Sequence, residues 1–295
     1  MKKKSKGFTL VELLVVIAII ALLMGILMPA LAKVRAIAFR VVCGTNLSGL
    51  GKAMLIYAND YEDEFPQAGY RNSVWAPRLP NWRGATRAAA YGTPPGQVTV
   101  ASSFYLLVKY AEVGPKQFLC RGTDTTGFKL SDYPNTAGLD LIDVWDFGDR
   151  PVDYCSYSYH SAYNSAFALT TAGSQPGMAV AADRSPWLDP AVDRAARISD
   201  FKWDGSTNEQ KAGNAAAHQD DGQNVLFQDG HVAFEKRAFC GVMDDNVYTA
   251  WPSATGVNRQ QGNPPNDGGA LPLHKEDSLL VNEGGGGTPP PPPPP

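Results

Sequence analysis

Lys6-GFTLVELLVVIAIIALLMGILMPALA-Lys33 places 26 residues between two lysines, and Glu12 is their only ionised side chain. Lys2, Lys3, Lys4 and Lys6 stand before the run, with Gly7 at the junction. At about 1.5 Å per residue, a helix from Phe8 to Leu31 spans roughly 36 Å, enough for a hydrocarbon layer of ~30 Å. The lysine cluster holds the leading end on the cytoplasmic side. Glu12 is the anomaly, because a carboxylate this deep in an apolar helix costs about 2.5–3.5 kcal/mol on insertion scales. Such a group calls for a partner.

Gly7-Phe8-Thr9-Leu10-Val11-Glu12 resembles the processing site of type IV pilins and of the pseudopilins of type II secretion. The resemblance implies that a prepilin peptidase cuts after Gly7 and methylates Phe8, so that Glu12 becomes the fifth mature residue. It also implies the partner: Glu12 of one subunit receives the new α-amino group of a neighbour. Two other readings compete. Ala30-Leu31-Ala32 offers the small-residue cleavage pattern of an ordinary secretory signal, although the apolar run is longer than such signals use and contains a glutamate. A plain single-span anchor leaves Glu12 without a reason.

Of the 295 residues, 44% are hydrophobic, enough for one anchor and one folded domain of ordinary size. Loss of residues 1–7 removes four of the 26 basic residues and none of the 29 acidic ones, moving the net charge from −3 to −7. No basic run follows the leader, so a nucleic-acid partner is not expected. Cys43, Cys120, Cys155 and Cys240 lie far apart without a C-x-x-C pair, which removes the zinc-knuckle pattern. They suit either two disulfides or buried thiols. A Cys43–Cys120 bridge is the expected pairing, since Cys43 begins the soluble half of the helix and Cys120, after the short helix, lies in a β-like segment expected to pack on it. Cys155 and Cys240 are then left for each other or stay free.

Beyond the apolar run, Val34, Ile37, Val41, Leu47, Leu50, Met54, Tyr57 and Tyr61 form one apolar stripe at helical spacing. The helix is expected to continue over 32–66, weakened by Gly44, Gly49 and Gly51 and ended by Phe65-Pro66. Residues 67–100 read as an irregular insertion. Ser102-Ser103 opens a short helix, and QFLC, DYCSYSYHSAY and GMAVAAD read as β-like pieces between 117 and 183. QNVLFQ and HVAFEK flank Asp229-Gly230, a hairpin signal. From Trp251 onward Pro, Gly and Asn dominate, ending in seven prolines, so 251–295 is expected to be a disordered tail.

A second resemblance lies in His218-QDDGQNVLFQ-Asp229-Gly230-His231. It is similar to the C-terminal signature of a bacterial group of pilin-like proteins with long heads, in which a histidine and nine residues precede Asp-Gly around a G-x-N motif. Gly222 and Asn224 match that motif, but ten residues follow His218 here. Cys43-Gly-Thr-Asn46-Leu47, Tyr57-Ala-Asn-Asp60 and Asp245-Asn246-Val247-Tyr248 add to the likeness, while Arg121 replaces the proline that often follows the second cysteine. The likeness covers 1–66 and 178–250.

The expectation is therefore an α+β, pilin-like fold: leader 1–7, membrane and assembly helix 8–31, amphipathic continuation 32–66, β-rich head 67–250 on an antiparallel sheet with long insertions, and tail 251–295. The resemblance implies a pseudopilin-like filament subunit, with prepilin peptidase, copies of itself, and an inner-membrane assembly platform with its ATPase as partners. The N-terminus is expected in the cytoplasm and the head in the periplasm. A type IV pilus subunit is the near alternative. A membrane-anchored carbohydrate-binding module using Trp75, Trp82, Trp187 and Trp203 is the distant one. No G-x-S-x-G, H-E-x-x-H or paired-carboxylate motif supports an enzyme. No cofactor is required, though the major pseudopilins hold calcium in a C-terminal loop, which makes Asp220, Asp221, Asp244 and Asp245 calcium candidates.

Overall fold

The computed structural model describes residues 9–161, 167–171, 173, 175–266 and 269–284. Helix α1 (Leu10–Asp60) is continuous for 51 residues, about 77 Å long at the usual rise. Thr9 caps it. The Thr9 backbone N–H and hydroxyl donate to Glu12 Oε2 at 2.8 and 2.7 Å, and the Glu12 N–H donates to Thr9 Oγ1 at 3.3 Å. This reciprocal capping box satisfies donors that a helix start leaves open. At the other end Tyr61 terminates the helix, and Glu62 and Asp63 turn into the left-handed region. The break comes before Phe65-Pro66 because these two residues already reverse the chain.

The apolar first half of α1 is exposed all round, whereas Cys43, Leu47, Leu50, Gly51, Ala53, Met54, Tyr57 and Ala58 are buried against the head. The expected stripe needs correction at both ends. Val34, Ile37, Val41 and Tyr61 are exposed: the buried face of the helix runs from Cys43 to Ala58, and ahead of it Arg40 reaches the head through its guanidinium, which pairs with Asp221. The expected weakness at the glycines is not a break either. A Cβ at Gly51 would lie 2.7 Å from Leu226 Cδ1, one at Gly44 would lie 3.0 Å from Asn224 Oδ1, and one at Gly49 would meet the Gln117 side-chain nitrogen at 1.9 Å. The three glycines are where the head comes closest to the helix axis.

The head is built on one sheet. Its strands are β3 (Tyr157–His160), β4 (Ala179–Asp183), β5 (Gln223–Phe227), β6 (Val232–Glu235) and β7 (Leu280–Val281), in the spatial order β6-β5-β4-β3-β7. Every neighbouring pair is antiparallel. The hairpin pairs Gln223 with Glu235 and Leu226 with Val232, turning at Asp229-Gly230 with Gly230 at φ 85. One helix against an antiparallel sheet is the expected α+β, pilin-like arrangement. The insertion before the sheet contains a two-stranded parallel ladder, β1 (Val74–Trp75) with β2 (Gln97–Val98), and helices α2 (Arg87–Tyr91) and α3 (Val100–Tyr110). Phe104, Tyr105, Phe118, Phe128 and Phe147 interlock edge to face beneath α3. Helices α4 (Arg194–Asp200) and α5 (Thr207–Lys211) lie on the connection from β4 to β5.

The expectation of a disordered tail is corrected for its described part. Trp251 is buried, and Leu279, Leu280 and Val281 are fully buried, with Val281 opposite Tyr159 and Leu280 opposite His160 as the fifth strand. Next in the chain, the Glu283 carboxylate accepts the Val100 and Ala101 N–H groups at the start of α3. A three-residue apolar run followed by an acid suffices to close the sheet edge and cap a helix, although the surrounding composition is that of a loop. The prolines beyond lie outside the described residues. Leu280→Ala should therefore destabilise the detergent-solubilised chain by about 2–5 kcal/mol in denaturant titration, the cost of a core truncation. Leu271→Ala, at a half-exposed position, should shift it by under about 0.5 kcal/mol.

Candidate functional site

Four side chains from four separate parts of the chain meet below the sheet. Cys43 comes from α1, Cys120 from the segment after α3, Asp183 from the end of β4, and His218 from a single 3-10 turn, Ala216–His218, ahead of β5. All four are buried, and one donor atom from each lies within 4.8 Å of the others. His218 Nε2 is 2.9 Å from Asp183 Oδ2, 3.3 Å from Asn224 Nδ2 and 3.9 Å from Cys120 Sγ. Asn224 holds the carboxylate in place, donating its backbone N–H (2.6 Å) and side-chain amide (3.0 Å) to Asp183 Oδ2. Asp183 Oδ1 is buried without a hydrogen-bond partner among the described residues. Gly122 N–H donates to Cys120 Sγ at 3.4 Å.

Local backbone explains how these loops reach one another. A Cβ on Gly122 would lie 1.9 Å from the Ala217 carbonyl oxygen, so only glycine lets the Cys120 loop rest on the His218 turn. After His218, both Gln219 and Asp220 adopt left-handed conformations, at φ 61 and 58. The additional residue of the His-to-Asp-Gly spacing is absorbed in that turn, which leaves His218 pointing inward. Gly222, at φ 147, sits where a Cβ would meet the Glu235 carbonyl oxygen at 2.3 Å.

The electrostatics is that of a coupled, water-excluded group. Burial opposes a charged imidazole, but the hydrogen bonds and charges of Asp183 and Cys43 outweigh it and raise His218 to about 9. The Cys43 thiol is lowered, first by its hydrogen bond with Cys120, against the opposing effect of burial. Cys120 is raised, by the same bond and by burial.

The expected Cys43–Cys120 disulfide is corrected in its bonding but not in its proximity. The two residues are neighbours, yet all four cysteines are free thiols, and this pair is hydrogen-bonded within the His218 and Asp183 cluster. Cys155 and Cys240 do not pair either: each thiol turns to a nearby carbonyl, of Tyr157 and Ala238 respectively. Asp183 was the member that sequence reasoning missed. Its only advance signal was an aspartate closing the apolar strand run of 177–182.

Other expected site residues lie elsewhere. Asp229 and His231 pair with each other at 2.5 Å on the exposed turn, and the His231 ring stacks on Phe227. The calcium candidates do not converge. Asp220 pairs with Arg197, Asp221 pairs with both Arg40 and Lys211, and Asp245 is buried against Trp251 Nε1 and the Ser278 N–H, while Asp244 is exposed. The carboxylates of Asp220, Asp221 and Asp245 are engaged by cations and by donors of the fold. Trp75, Trp82 and Trp187 are buried in the core and Trp203 is half-buried. Gly7 and Phe8 lie outside the described residues, and Glu12 lies in the first turn of α1.

Residues 2–28 match the family model of the prokaryotic N-terminal methylation motif. The chain therefore carries a type IV pilin-like prepilin signal, of the kind that prepilin peptidase processes and through which subunits assemble into filaments. None of the curated proteins or solved structures compared matches the chain. Within the described residues, α1 is long and apolar enough to cross a membrane.

The buried half of the signature should matter far more to stability than its exposed turn. Asn224→Ala strips Asp183 Oδ2 of a side-chain donor and should cost about 1–3 kcal/mol by thermal or denaturant unfolding. Asp229→Ala removes a solvent-screened pairing and should cost less than about 1 kcal/mol.

Proposed function

We propose that this chain is a pseudopilin-like filament subunit, cut after Gly7 and assembled through α1 into a fibre of the type II secretion kind. The observation that carries the reading is the methylation motif placed on the exposed apolar half of a helix whose other half is built into the head. A helix that is apolar all round needs either lipid or other helices, and a bundle of identical helices supplies the second once the subunit leaves the membrane. In this reading the head lies in the periplasm, the inner-membrane platform and its ATPase are the partners, and the chain is not an enzyme.

Glu12 has a defined part in this scheme. In the single subunit its carboxylate is occupied by Thr9, through one backbone and one hydroxyl donor. The methylated amine of a neighbouring Phe8 is a cation, so its hydrogen bond to Glu12 is charge-assisted and about twice as strong as a neutral one. The exchange of Thr9 for that amine gives assembly a polar contact with a fixed register inside an otherwise nondirectional apolar bundle. The burial of three candidate tryptophans leaves a carbohydrate-binding module with little support.

N-terminal analysis of the mature protein should begin at Phe8, carrying one extra methyl group; a start at Lys33 would overturn the reading. Glu12→Val should leave membrane insertion intact while reducing recovery in sheared filaments at least tenfold. Normal filament yield from that variant would remove Glu12 from assembly. Gene neighbourhood separates the two filament types, with a secretin beside the assembly ATPase supporting secretion and a retraction ATPase supporting a pilus.

A further inference from the structure

We propose that Cys43, Cys120, Asp183 and His218 form a structural zinc site that fastens α1 to the head. The donor set decides the metal class. Two thiols and an imidazole are soft to borderline ligands, suited to zinc and unsuited to calcium or magnesium, which take oxygen. Zinc–sulfur bonds of about 2.3 Å and zinc–nitrogen or zinc–oxygen bonds of about 2.0–2.2 Å give tetrahedron edges of roughly 3.3–3.8 Å. The observed separations bracket that range: 2.9 Å between His218 Nε2 and Asp183 Oδ2, 3.9 Å between His218 Nε2 and Cys120 Sγ, and no separation beyond 4.8 Å. Small side-chain shifts are enough to bring four donors around one ion.

Three independent features fit a closed site. Asp183 Oδ1 is a buried carboxylate oxygen with no hydrogen-bond partner among the described residues, an arrangement that costs the full desolvation of that atom unless something binds it. Gly122 N–H points at Cys120 Sγ, and Asn224 fixes the orientation of Asp183. Donors of this outer kind hold ligands and tune their basicity in metal sites. Finally, every ligand is buried, with Cys43 and Asp183 fully enclosed. That burial matches a structural site with four protein ligands rather than a catalytic one with an open position.

The placement gives the ion a mechanical role. One ligand comes from the long helix and three from separate segments of the head, so a single ion crosslinks residues 43, 120, 183 and 218. A Cys43–Cys120 disulfide would join only two of them and would leave Asp183 Oδ1 unsatisfied. The ligand spacing escapes sequence patterns because no two ligands share a local motif.

The test uses the full chain purified in detergent without chelator. Elemental analysis should find about one zinc per chain. Replacement by cobalt should give the intense visible bands of a tetrahedral cobalt–thiolate centre. Those bands should vanish in Cys120→Ser and His218→Ala and persist in Cys155→Ser and Cys240→Ser. Stripping zinc from the wild-type chain should lower its melting temperature, and zinc, but not calcium, should restore it; this needs no variant to fold. Less than a tenth of an equivalent of zinc together with no cobalt–thiolate bands overturns the proposal. So does stoichiometric copper, or a Cys43–Cys120 disulfide in non-reducing peptide maps of the isolated chain.

Discussion

The seating of Cys43–Ala58 against β5 and the loops below it is the contact on which the rest of the molecule depends. One helix serves two surroundings. Up to Leu31 its side chains face outward on all sides, and from Cys43 one face is buried in the head. Leu47, Leu50 and Met54 are fully buried, and each contributes about 1.5–3 kcal/mol when removed from water. Gly44 and Gly51 let Asn224 and Leu226 of β5 approach the helix backbone. In an isolated helix these glycines cost about 1 kcal/mol each relative to alanine. Here the close packing they permit offsets that cost, which is why the helix runs through them unbroken.

The N-terminal signal, the long helix, the hairpin at Asp229-Gly230 and the α+β class were legible because each is written in local sequence. Length, periodicity and turn chemistry act within a few residues of one another. What escaped was everything decided by distant partners. Val34, Ile37 and Val41 have the right spacing for a buried stripe, but periodicity cannot say where the head begins. Leu279-Leu280-Val281 is too short to announce a strand among prolines and glycines. It becomes one because Tyr159 and His160 present an open edge and because Glu283 finds the start of α3.

The site divides along the same line. His218 and Asn224 were visible through their spacing to Asp-Gly, and the proximity of Cys43 and Cys120 could be argued from the order of helices. Asp183 could not. An aspartate at the end of an apolar strand looks like the first residue of a loop, yet it is fully buried. Its carboxylate is held by Asn224, one register position into the neighbouring strand from Gln223, and faces His218. The hairpin therefore does more than close the sheet: it delivers Asn224 to Asp183, and the left-handed turn at Gln219 and Asp220 delivers His218 to the same point.

A buried cluster of two thiols, an imidazole and a carboxylate is a poor source of stability unless its charges are balanced, since desolvation of each ion costs several kcal/mol. Hydrophobic packing alone could hold α1 on the sheet, as it does from Leu47 to Ala58. The polar cluster lies instead at Cys43, the first buried position of α1 as it leaves the exposed segment. Any pull along the exposed part of the helix reaches the buried face of the head at that point, just after the Arg40–Asp221 pair. Apolar contacts resist sliding weakly, because a helix shifted by one turn still buries apolar surface. Directional bonds to His218 and Cys120 have a single register, so a slip of one residue removes Cys43 from both. The cluster fixes where the helix sits, and the apolar face below it supplies the energy that keeps it there.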